Sequence, residues 1–291
     1  MQNIVKGYAI MLVVVFVIGF DAVTVKLTGL SGLDVAFWRN GGISLCMFMG
    51  ACIVYRKNIF RYLSVMTTKQ WLASLLFGAS GTFFSIAVEM TSAVNVLLMY
   101  VLSPLIAVGL TTIFLGERIN NVVKVCSVFV VGGTFFAYKD SFDSGLDLGI
   151  VMAFIFVLCN SGMSVVGRAV KNIPSPIIIG IGCAFWSLLM LLFTNPVLPA
   201  SPLGMWNLVA NILVVAITYV GLVQGARYIT APEVNLMLIM ETLFGTLMAY
   251  LILKEVPTYA NLIGGGVAFI AVAVNMAYVV YISKKKHKSS V

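Results

Sequence analysis

Charge is scarce in this chain. Asp, Glu, Lys and Arg make up 10% of its 291 residues and there is one histidine, whereas an ordinary soluble domain is roughly a quarter charged. A fold that is 61% apolar, with a mean hydropathy of +1.06, has too few charged groups to cover its surface in water. The lone histidine, His287, sits in a basic tail, so the apolar part of the chain has none for a metal site, a proton relay or a Ser/His/Asp group. The five cysteines, Cys46, Cys52, Cys126, Cys159 and Cys183, are odd in number and lack paired metal-ligand spacing. They read as small buried hydrophobes. A nucleotide loop is missing as well: Gly162 to Gly167 has the spacing, but Arg168-Ala169 follows where Lys-Ser/Thr is required. No metal, no cofactor and no enzymatic centre is expected.

What the chain has instead is apolar runs, near 7–26, 33–54, 71–90, 93–115, 121–138, 148–170, 177–194, 206–226, 232–253 and 259–282. About 20 apolar residues cross a hydrocarbon core roughly 30 Å thick, so the expected fold is an all-α membrane protein of ten transmembrane helices. Lys6 and the first run have the look of a secretory signal, but only Gly19-Phe20-Asp21-Ala22 follows, without a small-x-small cleavage site, and the run is read as a retained span. Of the eighteen Lys and Arg, only Lys26, Arg39, Lys139 and Lys254 fall on one side of the ten spans. The positive-inside rule then puts both termini in the cytoplasm of a multi-pass cell (inner) membrane protein. The net charge of +8 lies in short loops and in Lys284, Lys285, Lys286 and Lys288, which suits membrane lipid head groups and argues against nucleic acid.

The loop carrying Asp140, Asp143 and Asp147 divides the chain into 1–140 and 141–291, the second part ending in the basic tail 283–291. An odd number of spans in each half makes the halves an inverted repeat if they are related. A shift of 138 lays Ala93 on Ala231, Leu98 on Leu236, Met99 on Met237, Leu105 on Leu243, Leu115 on Leu253 and Glu117 on Glu255. A shift of 142 puts Lys26 on Arg168, and the pair Phe37-Trp38 recurs as Phe185-Trp186. Ser103-Pro104-Leu105 running to Phe114-Leu115-Gly116-Glu117-Arg118, and Ala231-Pro232-Glu233 running through Glu241 to Leu253-Lys254-Glu255, resemble the EamA-type drug/metabolite transporter family. In that family each repeat has five spans and the fourth ends in apolar-Leu-Gly-Glu-Arg; Leu-Lys-Glu departs from that pattern. The resemblance implies two inverted five-helix repeats and transport of amino acids, other metabolites or drugs.

Ionisable groups inside a bilayer cost several kcal/mol unless paired or hydrated. A hairpin turning at residue 30 sets Asp21 at the depth of Arg39 and Lys26 at the depth of Asp34, two pairs that serve as a clamp or an outer gate. By the same reckoning Arg227 meets Glu233 on the inner side. Glu241 is different, because it lies about 16 Å from the turn at 230 at 1.5 Å per residue, near the midplane, level with the uncharged Tyr219. Such a carboxyl either stays protonated as part of the fold or is neutralised by something that comes and goes. In the matched place the first repeat has Ser103-Pro104, where proline removes a helix hydrogen bond. Midplane groups on bent helices between repeats are where secondary transporters bind substrate, which makes Glu241 the leading substrate or proton site. Met237, Phe244 and Met248 share its helix face; Ser103, Tyr100, Tyr219, Trp38, Trp186 and Tyr250 are further candidates for the cavity wall.

The expected function is export of a small amino-acid-like or cationic metabolite by alternating access, with proton coupling through Glu241, in a monomer or homodimer. The alternative is a flippase or scramblase for lipid or a lipid-linked metabolite.

Overall fold

The computed structural model describes residues 2–56, 58–115, 121–137, 147–168, 173–225, 228 and 231–288. The described residues form helices and no strand: α1 (Gln2–Ile18), α2 (Asp21–Leu27), α3 (Gly32–Tyr55), α4 (Asn58–Ser64), α5 (Thr68–Met90), α6 (Ala93–Tyr100), α7 (Ser103–Leu115), α8 (Asn121–Ala137), α9 (Leu148–Arg168), α10 (Ser175–Met190), α11 (Pro202–Gly225), α12 (Ala231–Met248) with a π turn (Ala249–Leu253), and α13 (Tyr259–Lys288). Lys6–Leu27, Gly32–Tyr55, Thr68–Met90 and Pro202–Gly221 are long and apolar enough to cross a membrane. Shorter apolar helices run over Ala93–Ala107, Val128–Ala137, Leu148–Met163, Ser175–Met190, Met240–Leu253 and Tyr259–Ala271. Each falls on one of the runs read from the sequence. Ile53, Val128, Phe193 and Ile270 stand exposed on their outward faces, as lipid contact requires. The chain is a multi-pass membrane protein.

In lipid every backbone N–H and C=O must be paired within the protein, so interruptions in these helices need a cause. Between α1 and α2 the ladder tightens, with Phe20 N donating to Val17 O at 3.2 Å. Gly19 makes the joint fit: a Cβ there would lie 3.1 Å from Phe244 Cβ and 3.4 Å from Gly245 N. Between α6 and α7, Val101 N and Leu102 N donate to Leu98 O and Met99 O at 3.2 and 3.0 Å, because Pro104 has no N–H to continue the ladder. A third interruption ends the π turn, where Lys254 has φ +59°. A left-handed residue is a common way to close a helix, and glycine is its usual occupant. In the repeat alignment Lys254 stands where Gly116 stands in the first copy, so the departure from Leu-Gly-Glu is a lysine held in a glycine conformation.

The packing has the symmetry of an inverted repeat. α5 packs on α9 and α11 on α1; α5 packs on α10 and α11 on α3; α9 packs on α6 and α7, and α12 on α1. Each of these pairs becomes the other when a helix of one half is exchanged for its mate in the second. Three further contacts, α3 with α10, α6 with α12 and α8 with α13, join a helix to its own mate, while α3 with α5 is a strong contact inside the first half that α10 and α11 do not match. Two crossings bring backbones together: a Cβ on Gly182 would stand 1.8 Å from Ser74 O, and one on Gly264 2.3 Å from Gly133 O. The expected boundary at 140/141 falls within 138–146, outside the described residues.

Candidate functional site

Asp21 opens α2 directly after the Gly19–Phe20 joint, which leaves its carboxyl turned inward among α3, α5 and α11. It is 7% exposed and Arg39, on α3, is 4% exposed. Arg39 Nη2 stands 2.6 Å from Asp21 Oδ2. The hairpin register brings these two together as the sequence leads one to expect. Arg39 Nη1 donates to Gly81 O at 2.9 Å, and the guanidinium lies 5.0 Å from the centre of the Phe84 ring. The other carboxyl oxygen of Asp21 accepts from Asn211 Nδ2 at 2.7 Å, and the same amide nitrogen reaches Thr24 Oγ1 at 2.9 Å. A buried ion pair is tolerable only when its remaining donors and acceptors are matched in this way. Arg39 Nε and Asn211 Oδ1 alone in this group lack a hydrogen-bond partner among the described residues.

Glu241, on α12, lies within electrostatic reach of Asp21 and Arg39, and Tyr100 lies within reach of Glu241. Tyr219 lies within electrostatic reach of Arg39, Asp21 and Tyr100. Glu241, Tyr100 and Tyr219 sit deep in the protein and are still partly accessible. Among the described residues the Glu241 carboxyl has no hydrogen bond and no ion pair. That sets it apart from Asp21. Tyr100, the last residue of α6, stacks on Phe156 with ring centres 5.5 Å apart and accepts from Asn160 Nδ2 at 3.3 Å. Ser103, the first residue of α7, is tied to α9 by Ser161 Oγ, which donates to Ser103 O at 3.0 Å. Phe244, one turn beyond Glu241, meets Phe16 edge to face at 5.9 Å and backs the Gly19 joint. Tyr219 meets Phe77 at 4.6 Å. Glu241 thus lies within electrostatic reach of the Asp21–Arg39 pair and of Tyr100, on a helix that packs against α1, α2 and α6.

One expected pair is replaced by another among the described residues. Lys26 does not pair with Asp34; its Nζ stands 2.8 Å from Glu255 Oε1. Equal depth in a hairpin fixes height and leaves the direction around the helix axis open. Asp34 is already used: it accepts from Ser31 Oγ at 2.7 Å, closing the turn that starts α3, and from Thr194 Oγ1 at 2.7 Å. Trp38 donates to Val197 O at 2.8 Å and pins the 194–200 link to α3. Trp186 donates to Leu75 O at 2.8 Å and joins α10 to α5. Arg227 lies outside the described residues, as do the side chains of Glu233 and Met237. Asn211, Asn160 and Ser161 join the group without belonging to any motif; the one signal they give is an amide or hydroxyl inside an apolar run.

A family model described as EamA-like transporter family matches residues 5–139 and 147–277. The chain is 25% identical over 204 residues to a Synechocystis protein described as uncharacterized transporter sll1164. That match spans 64% of this chain and 58% of the relative. A crystal structure with 17% sequence identity superposes with a TM-score of 0.65 over 95% of this chain and 98% of its own, which shows a shared fold.

Proposed function

Since the chain belongs to the EamA-like transporter family, matched once in each half, we propose that it is a secondary active transporter that moves a small amino-acid-like or cationic metabolite out of the cell through a site at Glu241. The observation that carries this reading is the Glu241 carboxyl, which has no hydrogen bond or ion pair among the described residues and lies within electrostatic reach of a self-neutralised Asp21–Arg39 pair. With Asp21 and Arg39 cancelling, the local surplus is one carboxyl, which favours a cation or a proton over an anion. The interruptions at Gly19–Phe20 and Val101–Leu102 support binding here, since unwound backbone near a midplane charge is how secondary transporters build their sites. Both termini are placed in the cytoplasm of the inner membrane, and the end carrying Lys26, Asp34 and Glu255 faces outward.

The test runs in two steps. Metabolites are compared in the medium of cells carrying the wild-type chain and the Glu241→Gln chain. The solute that accumulates only with wild type is then followed in liposomes under a pH gradient. Gradient-driven movement that Glu241→Gln removes supports the reading; equal, pH-independent movement by both proteins contradicts it.

A further inference from the structure

At the same end of the bundle as Lys26, away from both termini, a cavity of about 310 Å³ lies among Ser92, Asn95, Glu255, Thr258 and Asn261. That is at the lower end of the roughly 300–1,000 Å³ of small-molecule pockets, room for a solute the size of an amino acid. Its wall is built from both repeats. Ser92 and Asn95 start α6, Glu255 follows the π turn of α12, and Thr258 and Asn261 start α13.

Glu255 has two different commitments. Oε2 accepts from Val94 N at 3.3 Å, in the first turn of α6, which orients the carboxylate. Oε1 is 2.8 Å from Lys26 Nζ. Lys26 stands at the end of α2, in the first repeat, and Glu255 belongs to the second, so this ion pair is a bond across the two halves. The pair is partly accessible, with side-chain exposures of 26% and 17%, and pairs of that kind contribute about 1 kcal/mol or less. A weak pair is easily exchanged. Lys26 offers Glu255 a primary ammonium, and a solute carrying the same group in the cavity offers it an equal partner; the hydroxyl and amide side chains of the wall are bonded to one another and to backbone, Asn261 Nδ2 to Asn95 Oδ1 and Asn95 Nδ2 to Thr91 Oγ1 among them, so the carboxylate is the group with a partner to exchange.

We propose that this cavity is a binding site for a small solute bearing a primary ammonium, which takes the Glu255 carboxylate from Lys26 and thereby releases the tie between the repeats. The site deepens the transport reading and rests on it for what the solute does next. Binding itself stands apart from transport. Removing Lys26 removes a competitor, so ligand binding strengthens; removing the Glu255 charge abolishes it. A purely structural ion pair would respond alike to either loss.

The experiment uses the full chain in nanodiscs, with Val256→Cys as reporter. Val256 lines the cavity and is 75% exposed, so a thiol there is tolerated. Modification at position 256 by a water-soluble maleimide is read by mass spectrometry against ethanolamine, with choline as a cation that has no N–H to donate. Ethanolamine slows modification and choline does not. In Lys26→Met, half-protection comes at a concentration lower by up to about fivefold, and in Glu255→Gln protection is lost. The exchange Lys26→Glu with Glu255→Lys keeps the pair while giving up the Val94 N–H acceptor, and it too loses protection while eluting as monodisperse protein on gel filtration, which separates loss of the site from loss of structure. Equal protection by choline, or the same change in Lys26→Met and Glu255→Gln, overturns the proposal. Protection that persists in a protein inactive in liposomes leaves the site standing and counts against the transport reading alone.

Discussion

Arg39 is held by a carboxylate at 2.6 Å, a backbone carbonyl at 2.9 Å and an aromatic face. Taking away one partner of such a buried pair leaves an uncompensated charge, at a cost of about 3–5 kcal/mol. Asp21→Asn alone is therefore expected to lower the yield and thermal midpoint of purified protein sharply. Asp21→Asn combined with Arg39→Met recovers part of that loss, and equal unfolding of the single and double variants would refute the account. Lys254 gives the opposite sign. It occupies a left-handed conformation at φ +59°, which costs a side-chain-bearing residue about 1–2 kcal/mol. Lys254→Gly is expected to raise the unfolding midpoint in detergent by a few degrees without changing transport. At this scale the sequence was legible where geometry left one answer. Asp21 and Arg39 share a depth and also a direction, whereas Lys26 shares only a depth with Asp34, and its true partner Glu255 lies in the other repeat.

Among the helices, the interruption before Ser103-Pro104 was readable because proline has a fixed effect on the ladder. The Gly19–Phe20 joint was hidden, since a glycine in an apolar run more often marks close helix packing. Here it does both, ending α1 while admitting Phe244. Pro104→Ala restores a donor to the α6–α7 joint. The expected result is a protein at least as stable as wild type, with transport slower by about tenfold, the cost of about 1.4 kcal/mol on the rate-limiting step. Unchanged transport would show that the interruption is dispensable. Packing gives a harsher case. A Cβ on Gly182 would stand 1.8 Å from the Ser74 carbonyl oxygen, and two backbones cannot part by that much without losing the α5–α10 contact. Gly182→Ala is expected to destabilise by at least about 3 kcal/mol, the upper part of the usual range for overpacking, seen as loss of monodisperse protein on gel filtration.

For the molecule as a whole, the symmetry was legible in outline from an alignment of Ala93 onto Ala231, and the exchange-related contacts give it physical form. What no local pattern revealed is how the halves are tied at the Lys26 end: by Lys26 to Glu255, Thr194 to Asp34, Trp38 to Val197, and Asn261 to Asn95 at 3.4 Å. All but the pinning of Trp38 to the 194–200 link run through polar side chains far apart in the chain. Such ties form or break as a group when two halves rock about a central site. Alternating exposure of Glu241 is the central claim, and position 241 itself reports on it. In a chain with its five native cysteines replaced, Glu241→Cys is labelled by a membrane-impermeant maleimide in right-side-out and in inside-out vesicles. The same measurement is repeated with Lys26→Met, which removes the tie to Glu255. The account predicts labelling from both sides, and faster labelling from the Lys26 side alone once the tie is gone. Labelling from neither side, or labelling from both at rates that Lys26→Met leaves unchanged, would contradict it.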